Sequence, residues 1–152
     1  MPQIFIKGNV PSLKNSKVAT SRGVFMSKAV RHYLQDLGIK GYHLRERKVD
    51  GYKTRPNLFA AAIKPMLSAD IHIPHLIGLY FIRDSKRDFD FNNVSQIICD
   101  LLVAHRVFAD DSMRYLIPSP FMIGQAAADE YGVTEYSWYG VNKSNAGVII
   151  DY

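Results

Sequence analysis

The sequence holds one cysteine in 152 residues. Cys99 therefore has no intramolecular disulfide partner, and structural zinc sites that need two or more thiolates are excluded by counting. A reducing cytoplasm is the expected compartment. Long hydrophobic runs are also missing. No window approaches about 18 uncharged apolar residues, and the first twenty residues lack the apolar core of a signal peptide, so neither a membrane span nor an export signal is expected. A phosphate loop, a dinucleotide fingerprint and Gly-x-Ser-x-Gly are absent. The five histidines, His32, His43, His72, His75 and His105, include no His-x-His or His-Glu-x-x-His spacing, which leaves them ordinary core or surface roles.

What is present fits one compact domain spanning residues 1–152. Apolar residues make up 47% and aromatic residues 12% of the chain, too much for intrinsic disorder. Charge is unevenly placed. Residues 1–64 carry thirteen Lys/Arg against three acids, a balance of +10, whereas residues 65–152 carry six against eleven, a balance of −5. A basic half followed by an acidic half points to a polyanionic partner met by the first half.

Pro2–Lys7 alternates as a first strand and leads into a polar, basic loop. Gly23–Ser27 reads as a short strand, and Lys28–Arg47 shows Val30, Tyr33, Leu34 and Leu37 at helical spacing, with Ser27 as N-cap, before Gly38 and Gly41 weaken the pattern. Glu46–Arg55 is a loop or hairpin tip built on Asp50-Gly51. Pro56–Leu67 reads as a short helix opened by its proline, and His72–Arg83 as the most strand-like run. In Asn93–His105, residues Val94, Ile97, Ile98, Leu101 and Leu102 form an apolar stripe, with Asn93, Gln96 and Asp100 as a separate polar stripe. Met113–Ile117 is a strand stopped by Pro118 and Pro120, and Gly147–Tyr152 a last one. The fold class is α+β, a small mixed sheet packed with two or three helices.

The acids cluster at the two ends of the central helix. Before it stands Lys86-Arg87-Asp88-Phe89-Asp90-Phe91-Asn92-Asn93, and after it Val107-Phe108-Ala109-Asp110-Asp111. In an extended segment, Asp88, Asp90 and Asn92 would present oxygens on one side while Phe89 and Phe91 turn into the core. The helix is roughly 20 Å long, so its two ends can share a metal only if the following chain folds back. Hard-oxygen ligands of this kind suit Mg²⁺, which takes one or two carboxylates and leaves positions for water and phosphate, an arrangement able to support phosphodiester cleavage. The competing reading is that Asp88 caps the helix start or pairs with Arg87, and that Asp110-Asp111 forms an ordinary polar turn.

The order Arg-Asp-x-Asp-x-x-Asn, an amphipathic helix with an internal Asp100, then Asp110-Asp111 and a strand, resembles the core motif of the RusA-like Holliday junction resolvases. The basic loop Val10-Pro11-Ser12-Leu13-Lys14-Asn15-Ser16-Lys17 is similar to the loop that follows the family's first strand. The resemblance covers about Ile4–Lys28 and Tyr80–Pro118. It implies a homodimeric, Mg²⁺-dependent endodeoxyribonuclease, with Mn²⁺ as an alternative ion, that resolves four-way junctions or other branched DNA by paired nicks. Matched without gaps, the family's three metal ligands fall on Asp90, Asn92 and Asp111, and its helical lysine falls on Gln96. A two-residue shift makes Asp88 and Asp90 the paired ligands instead.

The implied catalytic set is thus Asp90, Asp111 and Asp88, and the implied metal set is Asp90 and Asp111 with Asp88 or Asn92. Lys14, Asn15, Lys17, Arg22, Lys86 and Arg87 are the candidate DNA contacts. The alternative is a junction-binding protein of the same fold with weak or no catalysis. Tyr136, Trp138 and Tyr139 form a short aromatic cluster suited either to packing or to stacking on unpaired bases.

Overall fold

Alternation at Gln3–Lys7 produces strand β1, which buries Ile4 and Ile6 and exposes Gln3 and Lys7. The computed structural model describes residues 2–12, 17–20, 23–39, 56–134 and 137–152. Strands β2 (Lys17–Thr20) and β3 (Gly23–Met26) pair with each other as an antiparallel ribbon. Helix α1 (Lys28–Asp36) starts where expected, with Ser27 Oγ accepting the Val30 N–H. It stops well short of Arg47. The reason lies at Gly38, whose φ of +79° is left-handed and whose missing Cβ leaves room for the Pro56 carbonyl oxygen, 2.2 Å from where that atom would stand. The expected loop at 46–55 lies outside the described residues.

Helix α2 (Leu58–Leu67) is capped by Asn57, whose Oδ1 accepts the Ala60 N–H at 2.9 Å, so Pro56 precedes the cap rather than opening the first turn. Strand β4 (His75–Arg83) follows, immediately after Pro74. Helix α3 (Phe91–Ala104) buries Val94, Ile97, Ile98, Leu101 and Leu102, as the apolar stripe predicts.

Strand β5 (Leu116–Pro120) contains both prolines expected to stop it. It tolerates them because it is an edge strand pairing with β4 on one side. Tyr115 O accepts the His75 N–H, so residues 115, 117 and 119 face β4, and Pro118 and Pro120 turn their donorless nitrogens to the free edge. Helix α4 (Gln125–Tyr131), which no sequence signal indicated, ends at Gly132 in the left-handed region (φ 65°). Strands β6 (Gly140–Val141) and β7 (Gly147–Asp151) complete the chain.

The main sheet is mixed and five-stranded, in the order β1-β7-β4-β5, with β6 added beside the C-terminal end of β4. Strands β1 and β7 are antiparallel to their neighbours, whereas β5 and β6 run parallel to β4. The class is α+β as expected, with four helices among the described residues instead of two or three. Side chains alternate across β4 and β7. Ile77, Leu79, Phe81, Val148 and Ile150 pack under α1, α2 and α3, and Tyr80, Ile82 and Ile149 form a smaller core with Ile123 and Ala128 beside α4. Each fully buried aliphatic or aromatic side chain contributes roughly 1.5–3 kcal/mol of burial free energy. No helix among the described residues is long and apolar enough to cross a membrane.

Candidate functional site

The segment after β4 is anchored by its aromatic residues. Phe89 and Phe91 meet Phe81 edge-on, at centroid separations of 6.3 and 5.9 Å, which leaves Asp88, Asp90 and Asn92 exposed. The expected row of three oxygens is interrupted, however. The backbone is extended only as far as Asp90 (φ −100°, ψ 120°), where helix α3 begins, and Asn92 belongs to its first turn. Asp90 is the N-cap. Its Oδ1 accepts the Asn92 N–H at 3.0 Å, satisfying one of the helix's orphan donors and setting a carboxylate against the positive end of the helix dipole.

The chain does fold back after α3, and the device that turns it is local. His105 closes the helix, Arg106 takes φ 63°, the Arg106 N–H donates to Val103 O, and the Val107 N–H donates to Leu102 O. This is a Schellman turn with arginine in the left-handed position usually held by glycine. Phe108 then inserts into the core, and Asp110 Oδ1 accepts the Asp111 N–H at 2.9 Å. The returning chain lays Asp111 against the polar stripe of α3.

Gln96 Nε2 donates to Asp111 Oδ2 at 2.8 Å and to Asp100 Oδ1 at 2.7 Å. Ionised carboxylates only accept, so the amide nitrogen is the end that faces them. One neutral amide thus bridges two acids. Half-burial raises the Asp100 carboxyl above its ordinary value, the Gln96 bond opposes this, and the Asp111 charge adds to it. The same pair of charges, after burial itself, pushes the Cys99 thiol up to about 12, so this cysteine is an inert core residue.

The fold therefore joins Asp111, Gln96 and Asp100, while Asp90 sits at the helix start and Asp88 beside an aromatic groove. Gln96 stands six positions after Asp90, about 9 Å of helical rise. Among the described residues, no group of three or more His, Cys, Asp or Glu side chains comes together to hold a metal. The donor chemistry is nonetheless that of a hard cation, with exposed carboxylates at Asp88, Asp90 and Asp111.

Of the candidate DNA contacts, Lys86 and Arg87 are exposed on the segment leading to Asp88. Lys14, Asn15 and Arg22 lie outside the described residues. Lys17 contributes its backbone to β2, and its side chain is not described. The start of the basic loop is fixed, however. Arg83 donates to Val10 O, and Asn9 Oδ1 accepts the Asp84 N–H at 3.0 Å, while Val10 and Pro11 are buried. The loop consequently departs from the strand end that feeds the acidic segment.

Two features escaped the sequence reading. The first is the Gln96 bridge, legible in retrospect as a Gln-x-x-x-Asp pair one turn apart. The second is a groove of about 250 Å³ lined by Phe81, Asp88, Phe89, Phe91, Pro120, Trp138 and Tyr139. It exists because β6 pairs with Ile82 and Arg83 and so carries Trp138 and Tyr139 to the same end of β4. Tyr136 lies outside the described residues.

The sequence matches no protein-family model, and no curated protein matches it significantly.

Proposed function

We propose that this protein is a Mg²⁺-dependent endodeoxyribonuclease of the RusA-like kind, acting as a homodimer on four-way junctions or other branched DNA. The observation that carries the reading is the return of Asp111 over α3 to the Gln96–Asp100 pair, because a two-ended acidic motif can serve one cation only if the chain doubles back. The pinned origin of the basic loop beside the acidic segment adds to it. Asp111 and Asp90 would hold the ion, with Asp88 or Asn92 completing the set and water filling the remaining positions. Bound there, Mg²⁺ would supply an activated water and offset charge on the phosphate. Lys86 and Arg87, with Lys14, Asn15, Lys17 and Arg22 of the N-terminal half, would position the DNA backbone.

A second reading has its own supporting observation. Gln96 gives both acids a neutral donor where the resembled family has a lysine, and Asn92 carries no charge, which favours a junction binder with little or no catalysis. The two readings separate in one assay. Purified protein is incubated with a labelled four-way junction and with linear duplex, with and without Mg²⁺ or Mn²⁺. Paired nicks support the nuclease, a mobility shift without nicks supports the binder, and neither outcome sinks both.

A further inference from the structure

Apart from Asp88, the residues lining the groove have no part in the proposed metal chemistry, and its composition is selective. Its walls are aromatic, yet their ring faces are not equally available. The Arg83 guanidinium lies over Phe89, 4.7 Å from the ring centroid, and Tyr139 stands perpendicular to Phe89 at 87° and 4.9 Å. Trp138 is different, being 55% exposed. An indole left this open at the mouth of an apolar groove is a stacking platform for another planar ring. The Asp88 carboxylate then decides which ring. It repels phosphate, so the occupant is a neutral group with N–H donors rather than nucleic-acid backbone.

We infer that this groove receives an unpaired guanine of the DNA substrate, stacked on Trp138 and held through its Watson–Crick edge by Asp88. Guanine alone among the four bases presents two adjacent donors on that edge, N1–H and N2–H, which match the two oxygens of one carboxylate. Adenine, cytosine and thymine each place an acceptor beside their donor, which would face a carboxylate oxygen. Taking up a base that is already unpaired also avoids most of the cost of unstacking. The assignment rests on the branched-DNA reading, and it leaves Asn92 rather than Asp88 to assist Asp90.

Trp138 is the sole tryptophan of the chain, so its fluorescence reports on this groove alone. Full-length protein is titrated in EDTA with hairpin duplexes carrying a single-base bulge of guanine, inosine, adenine or thymine, and with a bulge-free hairpin. The guanine bulge is expected to quench Trp138 with the tightest apparent Kd. Inosine, which lacks the N2 amino group, binds several-fold more weakly, and Asp88→Asn weakens the guanine complex on the order of tenfold and removes its advantage over adenine. The inosine comparison changes no protein residue and stands even if the variant misfolds. Equal quenching by every hairpin, quenching by none, or a signal that follows protein concentration alone, as self-association would give, overturns the inference. Nicking is scored separately in Mg²⁺. Junction cleavage without guanine-dependent quenching rejects the groove assignment and spares the nuclease, whereas guanine-dependent quenching without cleavage rejects the nuclease and retains the groove.

Discussion

Asp90 is asked to do two things, and two substitutions separate them. As the N-cap of α3 it satisfies the Asn92 N–H through one 3.0 Å bond; as a proposed ligand it must carry charge. Asparagine caps about as well as aspartate, so Asp90→Asn keeps the cap and loses only the favourable charge at the helix dipole, worth ~0.3–1 kcal/mol. Asp90→Ala loses both, for about 1–2 kcal/mol, and in a domain of this size each ~1 kcal/mol moves Tm by roughly 2–4 °C. Paired melts and nicking assays of the two variants are the measurement. Alanine is expected to melt a few degrees lower than asparagine, while both abolish Mg²⁺-dependent nicking and leave junction binding in Ca²⁺ or EDTA nearly intact. Undiminished nicking by Asp90→Asn refutes the ligand role. Equal melting of the two variants refutes the cap as the source of stability.

Other consequences are separately measurable. Arg106→Gly relieves a left-handed arginine at the end of α3 and is expected to raise stability by up to ~1 kcal/mol in urea titration, with no loss of folding cooperativity. Gly78→Ala would set a Cβ 2.6 Å from Phe121 Cδ1, an overpacking expected to cost ~1–3 kcal/mol. Burial lowers the pKa of His105 from its ordinary 6.5, against the smaller upward effect of its bond to Leu101 O. Its native state therefore binds fewer protons than the unfolded chain, so stability from this group is present above 6.5 and is lost as pH falls through the lowered native value; His105→Gln should remove that part of the pH–Tm profile. Asp100 has the opposite sense. Its raised native pKa costs stability as pH climbs from 3.8 through the native value, and Asp100→Asn should flatten that leg.

The elements legible in the sequence are of two kinds: β1 and α3, each with one apolar face, and β4 and β7, short apolar runs buried on both faces. The faces of β1 and α3 follow from the positions of Ile4, Ile6 and the α3 stripe, and tertiary packing did not override them. Helix α4 was illegible because Ala128 is its only buried residue, which leaves no stripe to read. Strand β5 was misjudged because proline is a strand breaker only where its nitrogen faces a partner, and sequence does not say which strand lies at an edge. At the site, the residue types and their order were readable, but their convergence was not. A Schellman turn built on arginine carries no glycine signal, so nothing in Arg106 announced the reversal that brings Asp111 to Gln96. Likewise Asp90, Asn92 and their neighbours suit a strand and a helix start equally, and the cap bond decided between them.

Asn92 and Gln96 depart from the resembled resolvase pattern together, and their joint effect on charge differs from the effect of either alone. The family pattern of three carboxylates and one ammonium carries −2. Asp90 and Asp111 with two neutral amides also carry −2, so the pair of changes leaves the field on a bound cation roughly as it was. Restoring only one side should disturb it. A unit charge about 6 Å from a divalent ion in water-like surroundings is worth ~1.4 kcal/mol, about tenfold in affinity. Asn92→Asp is therefore expected to lower the Mg²⁺ concentration at half-maximal nicking by up to tenfold, and Gln96→Lys, whose ammonium would stand between Asp100 and Asp111, to raise it comparably. The double variant should return close to the parent value, and all four proteins should converge as added salt screens the charges. If both single variants shift the Mg²⁺ requirement in the same direction, the two amides are not electrostatic counterparts, and Gln96 acts instead as a structural tie that fixes Asp111 on the helix.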